Sequence, residues 1–255
     1  MKKRIFTAAT VAVFLAVFIG CGKDSEPVGN GQLRMYMVDS PASYDSVVIV
    51  VKEVSVNSES QGWIVVNSTT RSFDLLQLAN GAKEILGEAS LQAGTYNQIH
   101  LLLDAGSYVV VGGTRHPITV PSGFQTGIKL VHEFQIQANF LYELYLDFDA
   151  SRSIVLTGNG EYMLKPTIRV EASATSGTIS GAVLPSTHHA LITAMSATDT
   201  TSTYADLITG SFVVMALPSA TYQIRVESTT AVRETTLTNV HVNAGSDTFI
   251  GVIAW

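Results

Sequence analysis

Between Leu141 and Asp149 apolar and polar side chains alternate residue by residue. Tyr142, Leu144, Leu146 and Phe148 share one side of an extended chain, and Glu143, Tyr145, Asp147 and Asp149 share the other. A period of two is the mark of a half-buried strand, one face in a core and one in water. Residues 149–153 then predict a turn, 153–156 an extended run, and 157–160 a second turn. Residues 162–164 and 167–170 complete the stretch, with Pro166 at a strand break. It has no helical period and reads as the closing meander of an antiparallel β domain.

The same pattern runs upstream. Residues 33–38 alternate, and 39–45 (DSPASYD) form a turn cluster. Residues 47–51 are apolar, and Val54 and Val56 then alternate with Glu53 and Ser55. Further strands are expected at 63–66, 73–78, 96–103 and 128–136, with a hairpin of 108–111 and 117–120 around 112–115. Residues 121–127 read as a loop. Residues 82–91 are the one helical candidate: Ile85, Leu86 and Ala89 fit a helical face, which Gly87 interrupts. After the small, polar residues 172–176, a second series follows at 177–183, 191–195, 211–217, 222–226, 240–242 and 249–253. Short strands at regular spacing, separated by Gly and Pro turns, predict an all-β chain of two β-sandwich domains in tandem, 32–171 and 177–255.

The first residues follow a different logic. Met1, Lys2, Lys3 and Arg4 precede an apolar run at 5–19, too short to span a membrane as a helix. Gly20-Cys21 ends the run as a bacterial lipobox does, with Phe18 where Leu is usual. Residues 1–20 are therefore expected to be a lipoprotein signal peptide, with Cys21 the lipidated first residue of the mature chain. Cys21 is the single cysteine, so no internal disulfide competes for it. Residues 21–31 are polar, rich in Gly, and read as a tether. Position 22 is Gly, not the Asp that retains lipoproteins at the inner membrane. Lys23, Asp24, Ser25 and Glu26 resemble the short signals that carry lipoproteins to the outside of the outer membrane; a solvated spacer is the alternative. The expected location is the outer membrane of a Gram-negative bacterium, exposed at the cell surface if residues 23–26 are such a signal and facing the periplasm if they are a spacer, with the lipid anchor as membrane partner.

Charge narrows the partners. Cleavage before Cys21 removes three basic residues and no acid, so the formal charge falls from −6 to −9. Such a chain, with no Lys or Arg run after the signal, is a poor match for nucleic acid.

Several motifs recur in order: Met35-x-x-x-Asp39-x-Pro41-Ala42-x-Tyr44-Asp45, Phe73-Asp74-Leu75-Leu76, Ala93-Gly94-Thr95-Tyr96, Val120-Pro121-Ser122-Gly123, Gly127-Ile128-Lys129 and Asp147-Phe148-Asp149-Ala150. In these, residues 31–170 resemble the bacterial lipoprotein domain of unknown function DUF4382. The resemblance implies a β-rich lipoprotein domain and no activity. Gly210-Ser211-Phe212 and Leu217-Pro218-Ser219-Ala220-Thr221-Tyr222 resemble the carboxypeptidase-regulatory-like domain. That resemblance covers 177–255 and implies a transthyretin-like, seven-stranded sandwich without catalytic residues. The family pattern has Gly where Ala220 stands.

Catalytic motifs are missing. There is no His-Glu-x-x-His, Gly-x-Ser-x-Gly, phosphate loop or dinucleotide fingerprint. None of the six histidines has a metal partner at helical or hairpin spacing, and His188-His189 reads as a solvated turn. Asp147 and Asp149 share a strand face, and Ser151 and Ser153 continue the spacing. Oxygen ligands so spaced can wrap calcium. Alternatively the two carboxylates accept turn amides, or pair with Arg152 or Lys165. Trp63, Phe124 and Tyr145 could form an aromatic platform for sugars, or serve as core and rim residues. The expected function is a non-enzymatic, membrane-anchored envelope lipoprotein, binding an unidentified protein or glycan partner or acting structurally. A glycan-binding accessory of a nutrient-uptake system is the alternative. No cofactor is expected beyond the calcium considered at Asp147 and Asp149.

Overall fold

A computed structural model describes residues 29–121 and 126–255. Cys21, Lys23, Asp24, Ser25, Glu26 and Phe124 lie outside the described residues. The first half comprises β1 (Asn30–Ser40), β2 (Ser46–Ser58), β3 (Gly62–Asn67), β4 (Arg71–Asp74) and β5 (Glu84–Gln92). It continues with β6 (Gly94–Leu103), β7 (Tyr108–Val111), β8 (Thr114–Thr119), β9 (Ile128–Ile136) and β10 (Leu141–Asp149). A single helical turn, α1 (Ala150–Ser153), leads to β11 (Ile154–Leu156), β12 (Tyr162–Leu164) and β13 (Ile168–Ala172). The second half holds β14 (Ser176–Leu184), β15 (Ala190–Met195), β16 (Thr200–Tyr204) and β17 (Ser211–Pro218). It ends with β18 (Ala220–Ser228), β19 (Glu234–Val242) and β20 (Asp247–Ala254).

The class is all-β. A four-stranded sheet, β13-β10-β1-β5, packs on a nine-stranded sheet ordered β11-β12-β8-β7-β2-β6-β9, where β3 and β4 also pair with β2. In the second half a three-stranded sheet, β17-β14-β20, faces a four-stranded one, β16-β15-β18-β19. Each pair of sheets closes over its own core. Leu33, Met35, Met37, Leu144, Leu146 and Phe148 meet Ile49, Val54, Val56 and Ile99 in the first. Ile179, Ile192, Phe212, Tyr222, Ile224 and Val226 fill the second. The inward half of the β10 alternation is therefore as expected. No helix among the described residues is long and apolar enough to cross a membrane.

Four expectations need correction. Residues 84–92 form a strand, not a helix: β5 pairs antiparallel with β1 from Asn30↔Gln92 to Met37↔Glu84. Gly87 explains the preference. A Cβ there would lie 3.0 Å from Val66 and 3.1 Å from Asn67, so Gly permits close packing on β3. A short helix broken by Gly offers no comparable stabilisation. Second, the 73–78 strand stops at Asp74, and a 3-10 turn (Leu75–Leu78) folds Leu75 and Leu78 into the core. Third, the stretch from Leu141 is not one meander. β10 pairs parallel with β1 and antiparallel with β13, while β11 and β12 belong to the opposite sheet. The turn between them contains α1, capped where the Asp149 side chain accepts the Arg152 amide. Fourth, β16 was not anticipated, because its inward residues are Thr201 and Thr203 instead of aliphatics.

Candidate functional site

The outward face of β1 and β10 was expected to lie in water. It does not: Tyr145 is 9% exposed and Asp147 5%. Alternation places those side chains opposite the core, and the second half of the chain then covers them. Tyr36, Val38 and Tyr145 pack against Met215 and Ala216 of β17. The Tyr36 and Tyr145 rings are 5.7 Å apart, and the Lys83 ammonium sits 4.1 Å from the Tyr36 ring centroid.

Beside this apolar patch lies a polar cluster. Arg169, from β13, donates to Asp147 at 2.6 Å and also to Asp199, in the turn before β16. Thr201 donates to Asp147 at 3.2 Å and shares a 2.7 Å hydrogen bond with Ser40. Ser40 also reaches Asp147 at 3.4 Å. Burial lowers the Arg169 pKa, but Asp147 and Asp199 outweigh that effect, and the guanidinium is held above its ordinary value. Asn80 fastens a second point. It adopts φ 54°, and its amide donates to Thr203 at 2.9 Å. Its side chain accepts from the Val213 amide at 2.7 Å and donates to the Ser211 carbonyl at 3.3 Å. Residues of both halves thus satisfy each other's buried polar groups.

Asp147 and Asp149 line one small cleft with Ser40, Arg152, Thr167, Arg169, Asp199 and Thr200. Their carboxylates are already engaged. Asp149 accepts from Ser151 at 2.6 Å and the Arg152 amide at 3.0 Å, and the Arg152 guanidinium is 3.2 Å away. Ser153 Oγ accepts the Thr167 amide at 2.9 Å. The turn-amide reading describes Asp149, while Asp147 pairs with Arg169 instead of Arg152 or Lys165. Positive charge in the cleft comes from two guanidiniums. Among the described residues no group of three or more His, Cys, Asp or Glu is placed to hold a metal.

Asp39, read as a turn residue, ends β1 buried. Its Oδ1 accepts the Ala150 amide at 3.0 Å, while Oδ2 has no partner among the described residues. Burial, then the nearby Asp147 and Asp149, hold its pKa well above the usual carboxylate range.

The three aromatics singled out above do not assemble. Trp63 is half exposed on β3 beside His100, with ring centroids 5.5 Å apart, whereas Tyr145 is buried at the junction. A different set does assemble. Tyr44, His189 and Tyr204 line a groove of about 780 Å³ between the two halves, together with Leu76, Gln77 and Leu207. His189 adopts φ 44° and stacks on Tyr204 with centroids 4.7 Å apart. Thr229 fixes this turn by donating to the His189 carbonyl at 2.8 Å. Both groove carboxylates are tied down. Asp45 accepts the Gly113 amide at 2.8 Å, and Asp206 accepts the Ile208 and Thr209 amides at 3.0 and 2.7 Å. Those hydrogen bonds hold the Asp206 pKa below its ordinary value. Sequence order conceals this groove, because its walls are separated by more than a hundred residues. Only the DSPASYD cluster signalled one of them.

That cluster and the Asp147–Ala150 segment lie at the same ends of the neighbouring strands β1 and β10. Residues 30–166 match a single family model, the Domain of unknown function (DUF4382). The chain belongs to this family. Its DUF4382 region supplies Tyr44, Asp45 and Gln77 to the groove, and His189, Tyr204 and Thr229 come from beyond the match. No curated protein matches the chain.

Among solved structures, the Bacillus anthracis TIE protein is similar at 11% identity and a TM-score of 0.23, over 88% of this chain and 34% of that one. This chain thus spans about a third of that protein's length. The fimbrial anchor protein Mfa2 from Porphyromonas gingivalis is similar at 13% identity and a TM-score of 0.21, covering 81% of this chain and 82% of that one. The minor pilin GBS52 of Streptococcus agalactiae is similar at 9% identity and a TM-score of 0.22, covering 88% and 94%.

Proposed function

We propose that this protein is a non-enzymatic lipoprotein of the cell envelope, anchored through Cys21 and displaying a two-sandwich binding module at the outer-membrane surface. The observation that carries this reading is the junction groove. It is concave and aromatic, and its two carboxylates are committed to backbone amides. Groups held in that way orient a surface and are poorly placed to exchange protons with a substrate. The N-terminal pattern supports the anchor: a basic start, an apolar run and Gly20-Cys21. In this reading the 3-10 turn Ser173–Thr175, between β13 and β14, links the sandwiches, and the second has the carboxypeptidase-regulatory-like fold. With β1 starting at Asn30, the tether at 22–29 would span at most about 29 Å, which holds the DUF4382 region close to the membrane.

Intact mass of the native protein tests the anchor. The proposal expects a chain that starts at residue 21 and carries acyl mass, and a Cys21→Ala variant that leaves the detergent phase. An unmodified cysteine, or a Cys21→Ala variant that stays with detergent, overturns it. Turnover of a glycan or peptide by the purified protein, lost on Asp147→Asn, would overturn the non-enzymatic part.

A further inference from the structure

We infer that the groove walled by Tyr44 and Gln77 on one side and His189 and Tyr204 on the other is a binding site for a neutral saccharide. This inference rests on the binding-module reading and narrows its ligand.

Four features of the groove point to that class. Its aromatic content is concentrated in Tyr44, which packs edge-on against Tyr162, and the stacked His189–Tyr204 pair, and aromatic rings that line a groove suit the C–H side of a sugar ring. The Gln77 amide and the Tyr44 and Tyr204 hydroxyls make no hydrogen bond to another described residue, so donors and acceptors remain for hydroxyl groups. A purely apolar ligand would leave them unpaired at a cost. Among the described residues no Lys or Arg lines the groove, whereas Asp45 and Asp206 do, so an acidic sugar or a phosphate would meet two carboxylates and no fixed cation. The volume, about 780 Å³, is that of an ordinary small-molecule site.

The walls are also fixed in advance. Asn80 closes the groove floor by bonding the Ser211 carbonyl and the Val213 amide, and Thr229 holds His189 in its left-handed conformation. His189, at φ 44°, is the left-handed cap of the 3-10 turn at Ser186–His188, and its amide donates to the Ser186 carbonyl, so its backbone is set before any ligand arrives. Pre-organisation of this kind lowers the entropic cost of binding a flexible oligosaccharide.

The test is calorimetric titration of the full-length protein in detergent with neutral oligosaccharides: cello-, malto-, xylo- and laminari-series. Oligogalacturonate serves as the acidic probe and a proline-rich peptide as the non-sugar probe. We expect heat from at least one neutral series, none from oligogalacturonate, and about tenfold weaker binding on Tyr204→Ala, the loss of one aromatic contact. Gln77→Ala, at a surface position that cannot unfold the chain, should weaken the same titration. Trp63→Ala, on the remote β3 surface, should not. Binding of only the acidic probe or the peptide, binding of none, or binding lost on Trp63→Ala and kept on Tyr204→Ala and Gln77→Ala each overturns the site. A protein that binds no sugar yet stays with detergent through Cys21 refutes the groove alone. One that binds sugar but is unacylated refutes the anchor alone.

Discussion

Replacing Arg169 with Met would remove the cation that joins the two halves. The Arg169, Asp147 and Asp199 side chains are 20%, 6% and 14% exposed, so solvent screens the cluster weakly. The variant leaves two carboxylates facing an apolar side chain. Breaking a buried pair by deleting one partner costs about 3–5 kcal/mol. Asp147 keeps its hydrogen bonds from Thr201 and Ser40, which places the loss at the lower end, about 3 kcal/mol. That is a large part of the roughly 5–15 kcal/mol that holds a domain folded. Urea unfolding at pH 7 with linear extrapolation measures it. The double variant Arg169→Met/Asp147→Leu should recover at least half of what Arg169→Met loses, since an apolar pair of similar volume avoids the orphaned charge. A loss under about 0.5 kcal/mol for Arg169→Met, or simple additivity in the double variant, would refute the reasoning.

Asp39 titrates in the opposite sense from most carboxylates. Burial and the neighbouring Asp147 and Asp149 raise its pKa above 3.8, so the folded state binds the proton more tightly. Its contribution is complete below 3.8 and is lost as pH rises through the folded value. Asp39→Asn keeps an Oδ1 for the Ala150 amide and cannot ionise. It should raise stability at pH 7 and leave it nearly unchanged below 3.8; an equally or less stable variant at pH 7 contradicts this. Asn80→Ala should cost about 2 kcal/mol, from the unpaired Val213 amide and an Ala forced to positive φ. Asn80→Gly should recover the backbone part of that loss, and equal losses for both would show that φ plays no role. A fragment of residues 177–255 should give β-type circular dichroism and a cooperative thermal transition, as it encloses its own core; a molten fragment would count against the boundary.

Strands whose inward residues are aliphatic or aromatic were legible from alternation or from an apolar run: β1, β2, β6, β9 and β10. β16 was not, since Thr201 and Thr203 fill its inward positions and a run of Thr and Ser carries no hydrophobic period. In β5 the apolar spacing around Gly87 suits a short helix equally well. Only the pairing with β1, a long-range contact, decides between them. Alternation also says which side chains turn away from a core, not what covers them. Asp147 and Asp149 were correctly placed on one face, but Arg169, Asp199 and Thr201 reach them from elsewhere in the chain. The groove follows the same rule: Tyr44 and Tyr204 become neighbours through the junction, and nothing local in either segment announces the other.

Protease treatment of intact cells is the most direct test of display at the surface. The account predicts that externally added protease removes the native protein while periplasmic markers stay whole. A variant with Lys23, Asp24, Ser25 and Glu26 all replaced by Ala should be protected until the outer membrane is opened. A native protein that resists digestion in intact cells and is cut only after lysis would contradict the account, confining the module to the periplasmic side.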